Sequence, residues 1–317
     1  MNRRPLVIIA EELDEACVAW LARSYEVVSC AATENDRFPS LIARADALVV
    51  RTYTRVGPAL LAGAPNLRVV ARAGVGLDNI DVPACRARGV EVVHTPDANT
   101  RAVVELVWAM LLDLLRPRVY LDRPLPLDQW KKLRHGLIAP RQLAGMTLGI
   151  VGMGRVGRSM AHVAGALRMN VLYNDLVTIP PDSAHGAAPA DIERLFEQSD
   201  IVTIHIDDRP ANARIIAEPL FRRLKRNAIF VNASRGFVIE AAPLAQWLRD
   251  NPDARAILDV HDPEPFTDQY PLLALPNARL TPHLGAATAD AHRNMSWVVR
   301  DVHRVLIGEP PEFPAPR

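Results

Sequence analysis

The chain has 317 residues, room for two domains of ordinary size, with 49% hydrophobic and 23% charged residues and a formal net charge of +1. That apolar content excludes a disordered chain, and the balanced charge excludes the basic footprint of a nucleic-acid binder. Of the 37 Lys and Arg residues only Lys131, Lys132 and Lys225 are lysines, a bias of codon type in the main, although a few arginines suit bidentate anion binding.

The N-terminal Met-Asn-Arg-Arg-Pro leads into a short apolar run, 6–10, followed by Glu11, Glu12 and Asp14. This pattern predicts a strand, not a signal peptide. Further strands are predicted at 47–50, 68–71 and 91–93, with helical segments at 13–23, 58–61 and 82–88. Such alternation implies a parallel sheet with helices on both faces. A long amphipathic helix is predicted over 100–115, and Pro117, Pro124 and Pro126 then break the pattern. A second series begins at Thr147, with strands predicted at 147–151, 170–173, 201–204, 228–231, 256–258 and 278–280. Six strands match a full dinucleotide-binding sheet. The run 286–306 predicts one helix capped by Gly308, and the tail from Pro310 is expected to be irregular. No apolar run reaches the roughly 18 residues of a membrane span. Cys17, Cys30 and Cys85 show no metal spacing and fit a reducing cytoplasm. No metal, nucleic acid or membrane partner is expected.

Gly152-Met153-Gly154-Arg155-Val156-Gly157 follows the predicted strand at 147–151 and opens a helix. Alone, G-x-G-x-x-G is a weak signal. Here a strand precedes it, a helix follows, and a second strand ends at Asp175, about 20 residues on. Gly152 permits the turn, Gly154 the approach of a pyrophosphate, and Gly157 close helix–strand packing. Asp175 suits the ribose hydroxyls, and Leu176 and Val177 offer no cation to a 2′-phosphate, so NAD is expected over NADP. The plain alternative is a glycine-rich turn beside a solvent-facing Asp.

Three later segments place polar groups just past predicted strands, where open α/β sheets bind ligands. They hold Arg235 before Gly236, Glu264 between Pro263 and Pro265, and His283 after Thr281-Pro282. Each alone reads as a surface or turn residue. Together they suggest a His that exchanges a proton, a carboxylate that sets its charge and tautomer, and an Arg that holds an α-carboxylate. That is the chemistry of 2-hydroxy acid oxidation or 2-keto acid reduction.

From Val49 through Thr288 the chain resembles the D-isomer-specific 2-hydroxyacid dehydrogenase family, closest to its D-3-phosphoglycerate dehydrogenase branch. The matching stretches are Val49-Val50-Arg51, Arg72 to Asn79, the glycine loop, Asn232 to Gly236, Asp259 to Pro265, and Thr281 to Gly285. The resemblance implies Arg235, Glu264 and His283 as the catalytic trio. It implies that Asp259 meets the nicotinamide carboxamide, that Arg155 and Val156 line the pyrophosphate, and that Ala233 and Gly285 border the cofactor. Gly74 and Val75 would receive the substrate carboxylate through the backbone, with Arg51 and Arg72 toward a second anion and Asn99 a further polar group at the hinge. The basic segment Lys131, Lys132, Arg134 reads equally as a surface face or as a reach toward a neighbouring site. The implied architecture is α/β, with two doubly wound parallel-sheet domains. A Rossmann NAD-binding domain, 99–287, is inserted into a flavodoxin-like substrate domain, 1–98 and 288–317, with the active site between. A homodimer is expected by analogy. The substrate expected is 3-phosphoglycerate/phosphohydroxypyruvate, with another D-2-hydroxy acid, or a glyoxylate or hydroxypyruvate reductase, as alternatives. An NAD-sensing, corepressor-like binding protein is the reading from another class.

The chain departs from the family pattern at two places. Asp207 and Asp208 occupy the loop that normally lies along the adenosine, and His261 replaces a frequent aromatic; His261 reads as a polar pocket residue or, more simply, as a plain substitution. Because the chain ends near Arg317, the serine-binding regulatory domain of longer phosphoglycerate dehydrogenases, with its feedback, is not expected.

Overall fold

Runs of four apolar residues without polar alternation need cover on both faces, which a parallel sheet between helix layers supplies. A computed structural model describes residues 3–316; Met1, Asn2 and Arg317, ends of the expected substrate domain, lie outside the described residues. The chain forms two units, Met1–Thr100 with Ala286–Arg317, and Arg101–Gly285.

The first unit carries β1 (Leu6–Ile9), β2 (Glu26–Ser29), β3 (Ala47–Val50), β4 (Val69–Arg72) and β5 (Glu91–Val93). Their order is β2-β1-β3-β4-β5, all parallel, the flavodoxin-type arrangement. Every residue of β1, β3 and β4 is buried. β2 is absent from the sequence-based expectation, because only two apolar residues lie between its polar, exposed ends. Arg72 belongs to β4 itself, one register beyond the predicted strand.

The C-terminal helix is two helices, Ala289–Ser296 and Val299–Ile307. Ser296 accounts for the break: its hydroxyl donates back to the His292 carbonyl at 2.7 Å and accepts the Asp14 N–H at 3.0 Å. Gly308 ends the second helix at φ +87° as predicted. The tail is more ordered than expected. His94 N–H donates to the Phe313 carbonyl and Ala315 N–H to that of Val92, so the tail covers the free edge of β5.

The second unit carries β6 (Thr147–Val151), β7 (Asn170–Asn174), β8 (Ala188–Pro189), β9 (Ile201–Ile204), β10 (Ile229–Asn232), β11 (Arg255–Leu258) and β12 (Ala278–Leu280). The sheet has seven strands, not six, in the parallel order β12-β11-β10-β9-β6-β7-β8. The extra strand, β8, is a two-residue edge piece containing a proline, too short to leave a periodic signal. One face packs under the helices Thr100–Leu115 and Arg155–Ala166, the other around Phe196, Phe221, Phe230 and Trp247. A helix over Leu127–Gly136 occupies the proline-rich arm with no buried side chain, which explains its weak signal. Among the described residues no helix is long and apolar enough to cross a membrane.

Because all strand pairs are parallel, every loop that leaves a strand end emerges on one edge of its sheet. The chain reverses its winding between β6 and β9, which opens a crevice at that edge.

Candidate functional site

β6 runs into the glycine loop. A Cβ on Gly152, at φ +94°, would lie 2.5 Å from the His205 carbonyl oxygen, and one on Gly157 would lie 2.1 Å from the Gly152 oxygen. These two glycines are required by packing. Gly154 differs: a Cβ there would meet nothing within 4 Å, and the residue is exposed. It precedes Arg155–Ala166 with no side-chain cap, so the first turn of that helix keeps N–H groups for an anion. Open space and uncapped donors together fit the pyrophosphate of NAD. Arg155 is exposed and Val156 half-buried beside it. Asp175, just past β7, accepts the Met153 N–H at 2.6 Å and the Val177 N–H at 3.1 Å. Each oxygen keeps a lone pair for a ribose hydroxyl.

In the loop after β9, Asp207 is bound to Arg209 and accepts Asn212 Nδ2 at 2.7 Å. The Arg209 hydrogen bonds hold the Asp207 carboxyl below its ordinary range. Of the two aspartates that depart from the family pattern, Asp207 is therefore neutralised within its own loop. Arg209 also feels the charge of Asp175, a proximity that sequence spacing does not reveal.

At the other side of the sheet, Asp259 follows β11 directly and is 1% exposed. Its carboxylate accepts the Thr281 hydroxyl at 2.6 Å, the Leu284 N–H at 2.7 Å and the Gly285 N–H at 2.7 Å. Its carbonyl accepts the His283 N–H at 2.9 Å. The turn it holds carries His283 at φ +56°, a left-handed conformation uncommon for residues with a side chain. Gly285 is buried against the same carboxylate, which leaves a Cβ only 3.2 Å from Oδ2.

His283 Nδ1 lies 2.8 Å from Glu264 Oε2, with the side chains 40% and 33% exposed. The carboxylate can only accept, so Nδ1 carries the proton and Nε2 is left for exchange with a substrate. Glu264 Oε1 accepts the His261 N–H at 2.7 Å. Burial pulls the Glu264 carboxyl up, but the His283 hydrogen bond and charge, with the His261 N–H, outweigh it and leave it below its ordinary value. The peptide bonds before Pro263 and Pro265 are cis.

Arg235 leaves β10 on a turn organised by Asn232, which is fully buried. The Asn232 amide oxygen accepts the Ser234 N–H and hydroxyl at 3.1 and 2.9 Å, and Nδ2 donates to the Arg235 carbonyl at 2.9 Å. Arg235 is half-buried, as is Ala233, and donates to the Ser234 carbonyl at 2.8 Å. Next to it, a Cβ on Gly236 would fall 1.9 Å from the His261 carbonyl oxygen, so the Arg235 and Glu264 loops are in backbone contact.

In the first unit, Arg51 follows β3. Its N–H and those of Thr52, Tyr53 and Thr54 all donate to the Glu11 carboxylate, at 2.8 to 3.1 Å. Burial raises the Glu11 carboxyl, and these four donors more than reverse that. Arg72 is 8% exposed; its Nε donates to Asn79 Oδ1 at 3.0 Å, and its guanidinium lies against Gly74, where a Cβ would be 2.5 Å from it. Asn79 Nδ2 in turn donates to the Arg51 and Thr54 carbonyls at 3.2 and 2.8 Å. The Gly74 N–H donates to the Arg72 carbonyl, and the Val75 carbonyl meets His94 Nδ1 at 2.7 Å. Asn99 is half-buried beyond β5. Sequence reading misses Glu11, Asn79, His94 and Asn232. Each acts on a loop or backbone group that adjacency in sequence does not advertise; Glu11, His94 and Asn232 share one signal, a polar residue at the mouth of a buried strand, and Asn79 lacks even that.

Residues 108–285 match the family profile described as D-isomer specific 2-hydroxyacid dehydrogenase, NAD binding domain. The D-3-phosphoglycerate dehydrogenase of Mycobacterium leprae is 36% identical over 307 residues, which are 96% of this chain and 57% of that protein. The chain thus spans little more than half the length of that relative. The (S)-sulfolactate dehydrogenase of Chromohalobacter salexigens is 35% identical, covering 95% of this chain and 98% of that one. The crystal structure of the TT0316 protein from Thermus thermophilus superposes with a TM-score of 0.83 at 30% identity, covering 98% of this chain and 100% of that chain.

Proposed function

This chain belongs to the D-isomer specific 2-hydroxyacid dehydrogenase family, and on that premise we propose that it interconverts a D-2-hydroxy acid and its 2-keto acid with NAD. The observation that carries the reading is the 2.8 Å contact of His283 Nδ1 with Glu264, on a turn built around Asp259. NADH, when bound, supplies the hydride. His283 Nε2 gives its proton to the keto oxygen in reduction and takes the hydroxyl proton in oxidation. Glu264 holds the ring in the right tautomer and stabilises the imidazolium. Arg235 pairs with the α-carboxylate and draws charge toward the carbonyl oxygen. In this reading the Val75 N–H is the further carboxylate receptor, since the Gly74 N–H donates to the Arg72 carbonyl.

The substrate proposed is an acid with a second anionic group, 3-phosphoglycerate/phosphohydroxypyruvate first. Arg51 is the cation assigned to that group. Two of the relatives above are named for acids with a second anion, phosphate in one and sulfonate in the other, which supports it. Arg72 is a poorer probe because its guanidinium also supports Asn79 and Gly74.

NADH oxidation over a panel of phosphohydroxypyruvate, sulfopyruvate, hydroxypyruvate and glyoxylate tests both parts. The doubly anionic acids are expected to lead in kcat/KM. Arg51→Ala should raise KM for the preferred one on the order of tenfold and leave that for glyoxylate near wild type. An equal effect on both acids removes the second-anion assignment. NADH binding with no turnover of any acid selects the sensor reading instead. A homodimer and a cytoplasmic location complete the proposal. The exposed Val119, Tyr120, Leu121, Trp130 and Ile138 of the arm support the first, and the buried, unpaired Cys17, Cys30 and Cys85 support the second. Light scattering tests the dimer.

A further inference from the structure

His261 stands where the family resemblance leads one to expect an aromatic, yet it is 6% exposed and fully engaged. Its ring packs edge-on against Phe266 and Tyr270, with centroids 4.7 and 5.4 Å away. Nε2 lies 2.9 Å from the Thr281 carbonyl, and Nδ1 lies 3.3 Å from the Tyr270 hydroxyl. A carbonyl can only accept, so Nε2 carries the proton and Nδ1 accepts from the tyrosine. Burial, with the Asp262 and Glu264 charges, pushes the Tyr270 phenol up to about 12, so its hydroxyl keeps the proton it donates.

The two ends of His261 reach the two members of one pair. Its backbone N–H donates to Glu264 Oε1 at 2.7 Å. Its ring donates to the Thr281 carbonyl, the same oxygen that receives the His283 N–H at 3.0 Å. Its carbonyl is the group against which Gly236, neighbour of Arg235, is packed. A phenylalanine would keep both backbone contacts and the ring packing but remove the hydrogen bond to the His283 turn.

We propose that His261 is a positioning residue that fixes Glu264 and His283 relative to each other, through its backbone N–H on one side and its ring on the other. The inference rests on reading that pair as the acid–base couple. It makes the imidazole, where an aromatic is frequent, a component of the site and not a neutral replacement.

The test uses the full chain labelled with 15N-histidine. Two-bond correlations of the His283 ring, assigned by their loss in His283→Gln, report its tautomer in alkaline buffer. The wild type should show the Nδ1–H form. His261→Phe should mix the tautomers and lower kcat about tenfold, the weight of one hydrogen bond at the transition state, with NADH Kd unchanged. His261→Gln, whose amide restores a donor near Nε2, should recover both signals. A His261→Phe protein with wild-type ring correlations and wild-type kcat overturns the proposal. If that variant does not fold, the His261 ring of the wild type serves: the Nε2–H form supports its bond to the Thr281 carbonyl and hence the proposal, and the Nδ1–H form overturns it. Should the wild type reduce no 2-keto acid, the functional reading fails, and the ring spectra alone decide the positioning.

Discussion

Each unit holds a critical loop with one carboxylate at a strand mouth, and the two do so to different ends. Glu11, two residues past β1, gathers four successive N–H groups of the loop after β3. Asp259, at the end of β11, gathers a hydroxyl and two N–H groups of the turn after β12. In both cases the two strands are neighbours in the sheet, so the carboxylate faces the next loop directly. Glu11 consumes the backbone donors of its loop. An anion arriving there must be met by a side chain, and the loop carries two cations, Arg51, to which the proposal assigns the anion, and the exposed Arg55. Asp259 instead leaves the working group outside its bonds. It holds His283 in a left-handed conformation and leaves the imidazole to Glu264. On the proposed roles, the carboxylate that orders the Arg51 loop should govern KM, and the one that holds the His283 turn should govern kcat.

The largest expected effect is that of His283→Gln, which should lower kcat on the order of a thousandfold while NADH affinity stays near wild type. Survival of activity would remove His283 as the proton carrier. Next is Asp259→Asn, which turns an amide donor toward the N–H groups of the turn. A displaced imidazole should cost about a hundredfold in kcat, and hydrogen exchange at Leu284 and Gly285 should quicken; unchanged kcat would mean the turn holds itself.

Glu11→Gln is the counterpart in the first unit. Amide exchange at Thr52, Tyr53 and Thr54 should accelerate about fivefold, corresponding to about 1 kcal/mol of local order, and KM should rise with kcat little changed. A fall in kcat matching that of Asp259→Asn would abolish the contrast between the two loops. The smallest effect concerns pH. Glu11 and Glu264 both sit below their ordinary values in the folded chain. The stability they lend is complete above the ordinary carboxylate range and is lost as pH falls through the lowered folded values. Glu11→Gln should therefore flatten the acid limb of a melting profile and leave its shape unaltered above about pH 6. A parallel downward shift at every pH would mean that the Glu11 charge is not what matters.

Much of this is legible in the chain itself. The buried strands β1 and β3 announce themselves as unbroken apolar runs, and the long helix Thr100–Leu115 has its predicted bounds. The Gly152 loop and the segments bearing Arg235, Glu264 and His283 stand out because each carries its signal within a few residues. The strand β2 and the edge piece β8 do not, since the first is half polar and the second has two residues. Arg72 reads as a residue beyond a strand and lies within one, buried on Asn79.

Local periodicity and glycine spacing therefore determined most of the elements and the dinucleotide loop, and singled out Arg235, Glu264 and His283 as candidates, because those signals depend on backbone preferences and burial of nearby residues. Tertiary structure alone decided what holds them. Glu11 meets Arg51 across 40 residues, Asp259 meets Gly285 across 26, and His261 meets Thr281 across 20. The parallel order of each sheet sets these pairings by placing the mouths of non-consecutive or distant strands side by side. No pattern within a loop encodes which other loop that order will bring against it.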